Sequence, residues 1–337
     1  MSDENHRLMP LWIWVTIACA AVGAAVWFAV NSRRPDPPES FRYDVAPFEQ
    51  VEPDRVIAIE LAPITPGIPG LRALAATPDG AIFVAGEKTL LVCGLDGSER
   101  ARYALPATPD CVAAAPNGRI LLGMADHVDV RDAMGKPEQT WAFPGERVHI
   151  TSIAADESSV YVADAGNRVV LRFDYGGNLQ ARIGEKDAAR DIPGLIVPSP
   201  CFDVAFDNAG AMWAVNPGRH GLEQYRPTGE PVSAWYRPSM EPDGFCGCCN
   251  PAHIAFRSDG TLVTAEKGLV RVKLYSVDQK LLGFIAGPAA FRETPGGPFS
   301  PELDMPLLDL AVDAQDRILV LDGRANAVRV FQVKEPH

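Results

Sequence analysis

Four of the seven cysteines gather in two places. Cys246, Cys248 and Cys249 stand in Phe-Cys-Gly-Cys-Cys-Asn-Pro (245–251), just ahead of His253, and Cys201 lies upstream. Three chemistries use thiols at this density. A disulfide, most simply from Cys201 to one of the three loop cysteines, suits an oxidising compartment. A thiolate site drawing on several of Cys201, Cys246, Cys248, Cys249 and His253 would take a soft or borderline transition ion such as zinc, copper(I) or iron. Its C-x-C-C-x3-H spacing matches no standard zinc finger or ferredoxin run. The third is a redox-active thiol pair, without a C-x-x-C motif to favour it. Cys93 and Cys111 sit in apolar runs, where a buried free thiol is expected.

A second set of reactive side chains emerges only from the repeat that positions them. Six segments place a turn between two apolar runs: 71–86, 111–124, 150–164, 202–216, 253–266 and 307–322. Several carry Pro-Asp-Gly, Pro-Asn-Gly or Ser-Asp-Gly at the turn, which predicts a β-hairpin in each. A further strand follows, as in 168–174, 269–275 and 326–332, and usually a fourth. Four strands in each of six units predict an all-β, six-bladed β-propeller. The last unit ends after its third strand, and a spare strand at 55–61 precedes the first. Its pairing into the last blade would close the ring and remove an open sheet edge.

Aligning the hairpins on their turns puts Ala73, Cys111, Ser152, Asp203, His253 and Asp309 at the head of strand one. Gly86, Met124, Asp164, Asn216, Glu266 and Asp322 fall at the end of strand two. In a propeller both positions lie on one face, so Asp164, Asp203, Asn216, His253, Glu266, Asp309 and Asp322 are expected as a polar ring at the channel mouth over blades three to six. Each Asp could instead simply accept hydrogen bonds from neighbouring backbone. Long joints at 185–200, 237–251 and 287–306 would rise over the same sector, as recognition loops do. Propeller geometry would also bring Cys201, the loop cysteines and His253 towards one place.

The segment VYVADAGNRVVLRFDYGGNLQARIG (160–184) resembles the NHL repeat: a strand ending in Ala-Asp, a Gly-Asn-Arg turn, a strand ending in Phe-Asp and a turn closing on Gly. The last blade is a looser copy, and the likeness covers about residues 54 to 333. It implies a fold and little about activity, because this fold hosts binding modules, lyases and lactonases alike. The FCGCCNP loop and the sequence after it are similar to a group of uncharacterised bacterial membrane-anchored NHL proteins.

At the N-terminus, residues 1–9 form a tail and residues 10–31 an uncharged apolar run with Trp12, Trp14 and Trp27 near its ends. That predicts one transmembrane helix. Ala18-Cys19-Ala20 offers a cleavable signal as the competing reading. Arg33, Arg34 and Arg42 follow the run and only Arg7 precedes it, which by a literal count would leave the large domain in the cytoplasm. The run also has the character of a signal-anchor, and we expect the propeller on the extracytoplasmic side of the cell membrane. Residues 32–53, rich in proline and charge, read as a stiff linker, and 54–337 as the propeller.

The formal charge of −12 disfavours nucleic acid and leaves a protein as the expected partner of the loop face. No phosphate-binding Gly loop, G-x-S-x-G elbow or H-E-x-x-H helix is present. The leading expectation is a non-enzymatic binding or assembly module, with a metal or redox centre at the cysteines or a disulfide-stapled surface. The alternative is a metal-dependent propeller enzyme, lactonase-like or lyase-like, using Asp203, His253, Asp309, Asn216 and Glu266. An enzyme of that kind needs an open pocket of roughly 300 Å3 or more.

Overall fold

The computed structural model describes residues 10–31, 48, 50–247, 249–292 and 309–335. The expected tail at 1–9, most of the linker at 32–53, Cys248 and most of the joint at 287–306 lie outside the described residues. The chain divides into Met1–Val45 and Ala46–His337.

In the first unit, Leu11–Asn31 is a helix of 21 residues. Among the described residues no helix is long and apolar enough to cross a membrane. The transmembrane assignment of residues 10–31 is therefore without structural support. Ala18, Ala20, Ala21, Thr16 and Gly23 occupy positions where leucine or isoleucine would supply far more transfer energy.

The second unit is a ring of four-stranded antiparallel sheets, six among the described residues. Blade one starts with Ala73–Ala76 and Ile82–Gly86, blade two with Cys111–Ala114 and Ile120–Gly123. Blades three, four and five start with Ile150–Ala155, Val204–Phe206 and His253–Phe256. Blade six consists of Leu310–Val312, Ile318–Asp322, Ala327–Val333 and, from the other end of the unit, Ala58–Glu60. The expected closing strand is thus in place, with Ala58 opposite Val333 and Glu60 opposite Phe331.

The hairpin turns form where the Gly-containing dipeptides place them. In blade four Asp207 Oδ1 accepts from the amides of Ala209 and Ala211, both at 2.9 Å, and Gly210 takes φ 77°. An aspartate that folds back on its own turn and a glycine free to adopt positive φ are what this turn requires.

Second strands such as Ile82–Gly86 and Val160–Asp164 are buried along their whole length, whereas an outer strand such as Pro137–Ala142 exposes all but Trp141. Adjacent blades bury their faces against each other. Trp141 of blade two stacks on Phe173 of blade three at 5.9 Å, and Trp235 of blade four packs edge-on against Tyr275 of blade five at 4.9 Å. Rings buried this way contribute about 1.5 to 3 kcal/mol each. They hold the first strands in a circle, and these line the channel.

Candidate functional site at the channel mouth

The channel encloses a cavity of about 240 Å3, lined by first-strand residues of all six blades. Its walls are narrow because the strands present small residues to the axis, among them Ala75, Ala113, Ala154, Ala205, Ala255 and Ala311. Its polar groups include Ser152, Asp203 and Asp309.

Asp203 and Asp309 do the same structural task in different blades. Asp203 Oδ1 accepts from the Val204 amide at 2.9 Å, and Oδ2 from the Ile254 amide of the next blade at 2.8 Å. Asp309 accepts from Leu310 at 2.9 Å and from Leu74 of blade one at 2.7 Å. Each carboxylate therefore latches one blade to the next through otherwise orphaned strand-head donors. His253 sits between the two, its Nδ1 3.7 Å from Asp203 and 3.6 Å from Asp309. Burial pushes the Asp309 carboxyl up to about 6, against the pull of His253 and with the push of Asp203. Cys111, at the same ring position in blade two, is raised well above the ordinary thiol range by burial and then by Asp309.

The strand-two positions of the expected ring lie elsewhere. Asp164, Asn216, Glu266 and Asp322 are fully buried, and none of them lines the channel cavity. Asp164 accepts from the amides of His149 and Asn167 and from the Asn167 side chain. Asn216 receives the Ile196 amide and donates to Glu223 at 2.7 Å. Asp322 accepts from the amides of Arg324 and Ala325. Glu266 meets Arg271 at 2.7 Å and Lys273 at 2.6 Å. These four fasten joints and third strands instead of facing the axis, so the expected seven-member ring reduces to Asp203, His253 and Asp309. Arg219 stacks over Tyr236 at 5.6 Å, and Lys267 turns to Ser199.

The cysteines separate into different environments. Cys246 lies beneath Arg271, 3.3 Å from its guanidinium, with its thiol raised mainly by burial. Lys267 lies 2.8 Å from Ser199 Oγ, two residues before Cys201, and both Cys201 and Cys249 act on its charge. Burial opposes the charge on Lys267, and the two thiols outweigh it, so its pKa is raised. His253 is engaged with the aspartates. Among the described residues Cys201, Cys246, Cys249 and His253 do not form one cluster, and no three His, Cys, Asp or Glu side chains are grouped to hold a metal ion; Cys248 lies outside the described residues.

Sequence reasoning passed over the charged third strands. Arg271 and Lys273 are both buried, and Lys273 lies 4.7 Å from the centre of the Phe245 ring. In blade four, Glu223 receives hydrogen bonds from Tyr225, Tyr236 and Asn216. The available signal was Arg-Val-Lys in a strand otherwise made to be buried: two like charges on one face demand a carboxylate nearby.

Solved structures with the same architecture include a streptogramin B lyase, with TM-score 0.53 and 10% identity over 82% of this chain and 97% of that one. They include virginiamycin B lyase from Staphylococcus aureus, at 0.52 and 13% over 82% and 98%. A Bacteroides thetaiotaomicron protein of unknown function matches at 0.55 and 14% over 81% and 71%. No protein-family model and no curated protein matches the chain. Identities this low show a shared six-bladed propeller fold and carry no activity with it.

Proposed function

We propose that this protein is a non-enzymatic propeller that binds a protein partner through the face formed by the channel mouth and the inter-blade joints of blades three to five. One observation carries the reading: Asp203 and Asp309 both spend their oxygens on backbone amides of adjoining blades. A carboxylate committed to a strand-head latch is poorly placed to act as a general base or to turn towards a substrate. The channel cavity of about 240 Å3 is also smaller than a typical small-molecule site of about 300 Å3 or more. The joints provide area around that mouth, and Ile196, exposed to 44%, offers an apolar contact within it.

Membrane attachment through residues 10–31 and an extracytoplasmic position for the propeller complete the proposal, resting on the uncharged run in the sequence.

A photo-crosslinking amino acid placed at Ile196, on the joint face, and separately at Met134, in a turn at the opposite end of blade two, tests the binding face in cells that make the protein. An adduct from position 196 alone is expected. Adducts from position 134 alone, or from neither, would count against the proposal. Alkaline extraction of membranes from the same cells tests attachment, since release of the chain into the supernatant would remove the anchor from the reading.

A further inference from the structure

The buried cluster of blade five holds more positive charge than its carboxylate balances. Glu266 is the acceptor for Arg271, at 2.7 Å, and for Lys273, at 2.6 Å. All three side chains are buried, and among the described residues no second carboxylate pairs with either cation. The Arg271 guanidinium is also incompletely used. Its Nη2 donates to Glu266, its Nη1 makes a long bond of 3.4 Å to the Met240 carbonyl, and its Nε has no hydrogen-bond partner. A buried donor without an acceptor is costly.

Arg271 is at the same time a wall of a cavity of about 230 Å3 beside the outer strand of blade five. Three elements enclose it. The segment leading to the closing strand supplies Phe48 and Arg55, the 237–251 joint supplies Met240 and Pro242, and the outer strand Leu281–Ala286 supplies Phe284. Backbone contacts fix these elements against one another. Val56 bridges Phe284 in parallel, and the Ile57 amide donates to the Phe284 carbonyl at 2.9 Å. That register sets the Arg55 guanidinium, at the end of the 3-10 turn Pro53–Arg55, 5.8 Å from the centre of the Phe284 ring. Lys273 Nζ holds the joint by donating to the carbonyls of Pro242 and Gly244 at 3.2 and 2.6 Å. Arg55 has no ion pair among the described residues.

From this geometry we propose that the cavity binds a small monocarboxylic acid with an apolar tail, its carboxylate between Arg55 and Arg271 and its tail against Phe48, Met240 and Phe284. A guanidinium offers paired N–H donors that match the two oxygens of a carboxylate, and the ligand supplies the negative charge that the cluster around Arg271 lacks. An inorganic anion fits less well, because aromatic and thioether walls give its remaining oxygens no donors. Glu52 and Glu241 stand exposed at the rim, where their charge disfavours a second carboxylate on the ligand. The volume falls below that of drug-sized sites, about 300 Å3 or more, which limits the ligand to a small acid. This cavity shares no lining residue with the channel, so the site stands whether or not the mouth face binds a protein.

The test uses the full chain in a non-ionic detergent, titrated with 3-phenylpropanoate in a calorimeter against a detergent blank. One acid per chain is expected, bound about tenfold or more tighter than 3-phenylpropan-1-ol, which has the tail without the charge. Inorganic phosphate should not displace it. Arg55→Gln should weaken binding about tenfold, as loss of one charge-assisted hydrogen bond does, and Arg55→Lys should restore part of the affinity. Met240→Trp, which fills the cavity, should abolish binding. Arg271→Lys keeps a cation for Glu266 and removes Nε; it should weaken binding while the buried Cys93 and Cys111 stay protected from alkylation, the sign of an intact ring. The proposal falls if the acid does not bind at concentrations up to about 10 mM, if the alcohol binds as tightly, or if phosphate displaces the acid. It falls equally if Arg55→Gln, Met240→Trp or folded Arg271→Lys binds with the parent affinity.

Discussion

Glu266 and Lys273 form an ion pair at 2.6 Å in which neither side chain exposes any surface. Arg271 adds a second cation to the same carboxylate at 2.7 Å, so two buried positive charges depend on one negative one. Burial pushes the Lys273 ammonium down to about 8 despite that partner. Removing the shared carboxylate strands both cations in a medium that solvates them poorly. Glu266→Gln should destabilise the propeller by about 3 to 5 kcal/mol in urea unfolding. Lys273→Met should cost less, because Glu266 keeps Arg271. Equal losses would show that the pair and not the triad carries the stability.

The aspartate at the channel mouth gives a pH signature. The Asp309 carboxyl is raised from 3.8 to about 6, first by burial and then by Asp203, against His253. Between these values the unfolded chain has released the proton that the folded chain still holds. The folded state therefore binds more protons, and the contribution of Asp309 to stability falls as pH rises from about 4 to about 6, then stays level. Asp309→Asn keeps one acceptor for the backbone and abolishes the titration. Its stability relative to the parent should improve across that interval in denaturant titrations at successive pH values. A constant difference from pH 4 to 7 would refute the assignment. In His253→Ala the parent slope should extend to higher pH, since the imidazole is what pulls the carboxyl down.

Gly166 explains one letter of the Ala-Asp-Ala-Gly-Asn-Arg turn. A Cβ on it would lie 1.5 Å from the Arg147 carbonyl oxygen, so the joint entering blade three crosses directly over this residue. The neighbouring Arg168 supplies the left-handed position, at φ 58°. Gly166→Ala should cost about 3 kcal/mol or more, because backbone and not a flexible side chain has to move. Gly210→Ala is the comparison: nothing lies within 4 Å of its Cβ, and only the strain of φ 77° is paid. A smaller loss at 166 than at 210, read from thermal midpoints, would put the constraint in the dihedral and not in the crossing.

The propeller was legible in the sequence because its signal is local and repeated. Four of the six hairpins declare themselves by a glycine turn such as Asp207–Gly210 between apolar runs, and the unpaired run around Ala58–Glu60 could be matched to the missing fourth strand. The site was legible only where one residue type has one use. The latch role of Asp203 and Asp309 follows from their place at the strand heads, whereas Asp164 and Glu266, equally acidic and one strand away, turn into the blades. Periodicity gives the face of a residue within a strand and not the direction its carboxylate takes once a partner such as Arg271 is within reach. The cysteines show the same limit. Cys246 and Cys249 are three apart in sequence, yet one lies beneath Arg271 and the other acts on the charge of Lys267.

Ring closure supplies the last prediction. Ala58–Glu60 is short, and it covers an edge that Ala327–Val333 would otherwise present as unpaired backbone. Its hold is reinforced by Arg329, which grips both oxygens of Glu60 at 2.7 and 2.6 Å and also donates to the Ala290 carbonyl at 2.9 Å. A chain beginning after Leu61 loses the strand, the ion pair and the Leu61 amide bond to Val330. Its last blade then carries an apolar three-stranded sheet with an open edge, the arrangement that recruits other chains. Such a truncation should elute as soluble aggregate and unfold at a lower temperature than a chain beginning at Ala46, while Glu60→Gln, which keeps the strand, should remain monomeric and lose about 1 kcal/mol or less because Glu60 is partly solvated. A monomeric truncation of unchanged stability would mean that the other five blades hold the ring without this closure.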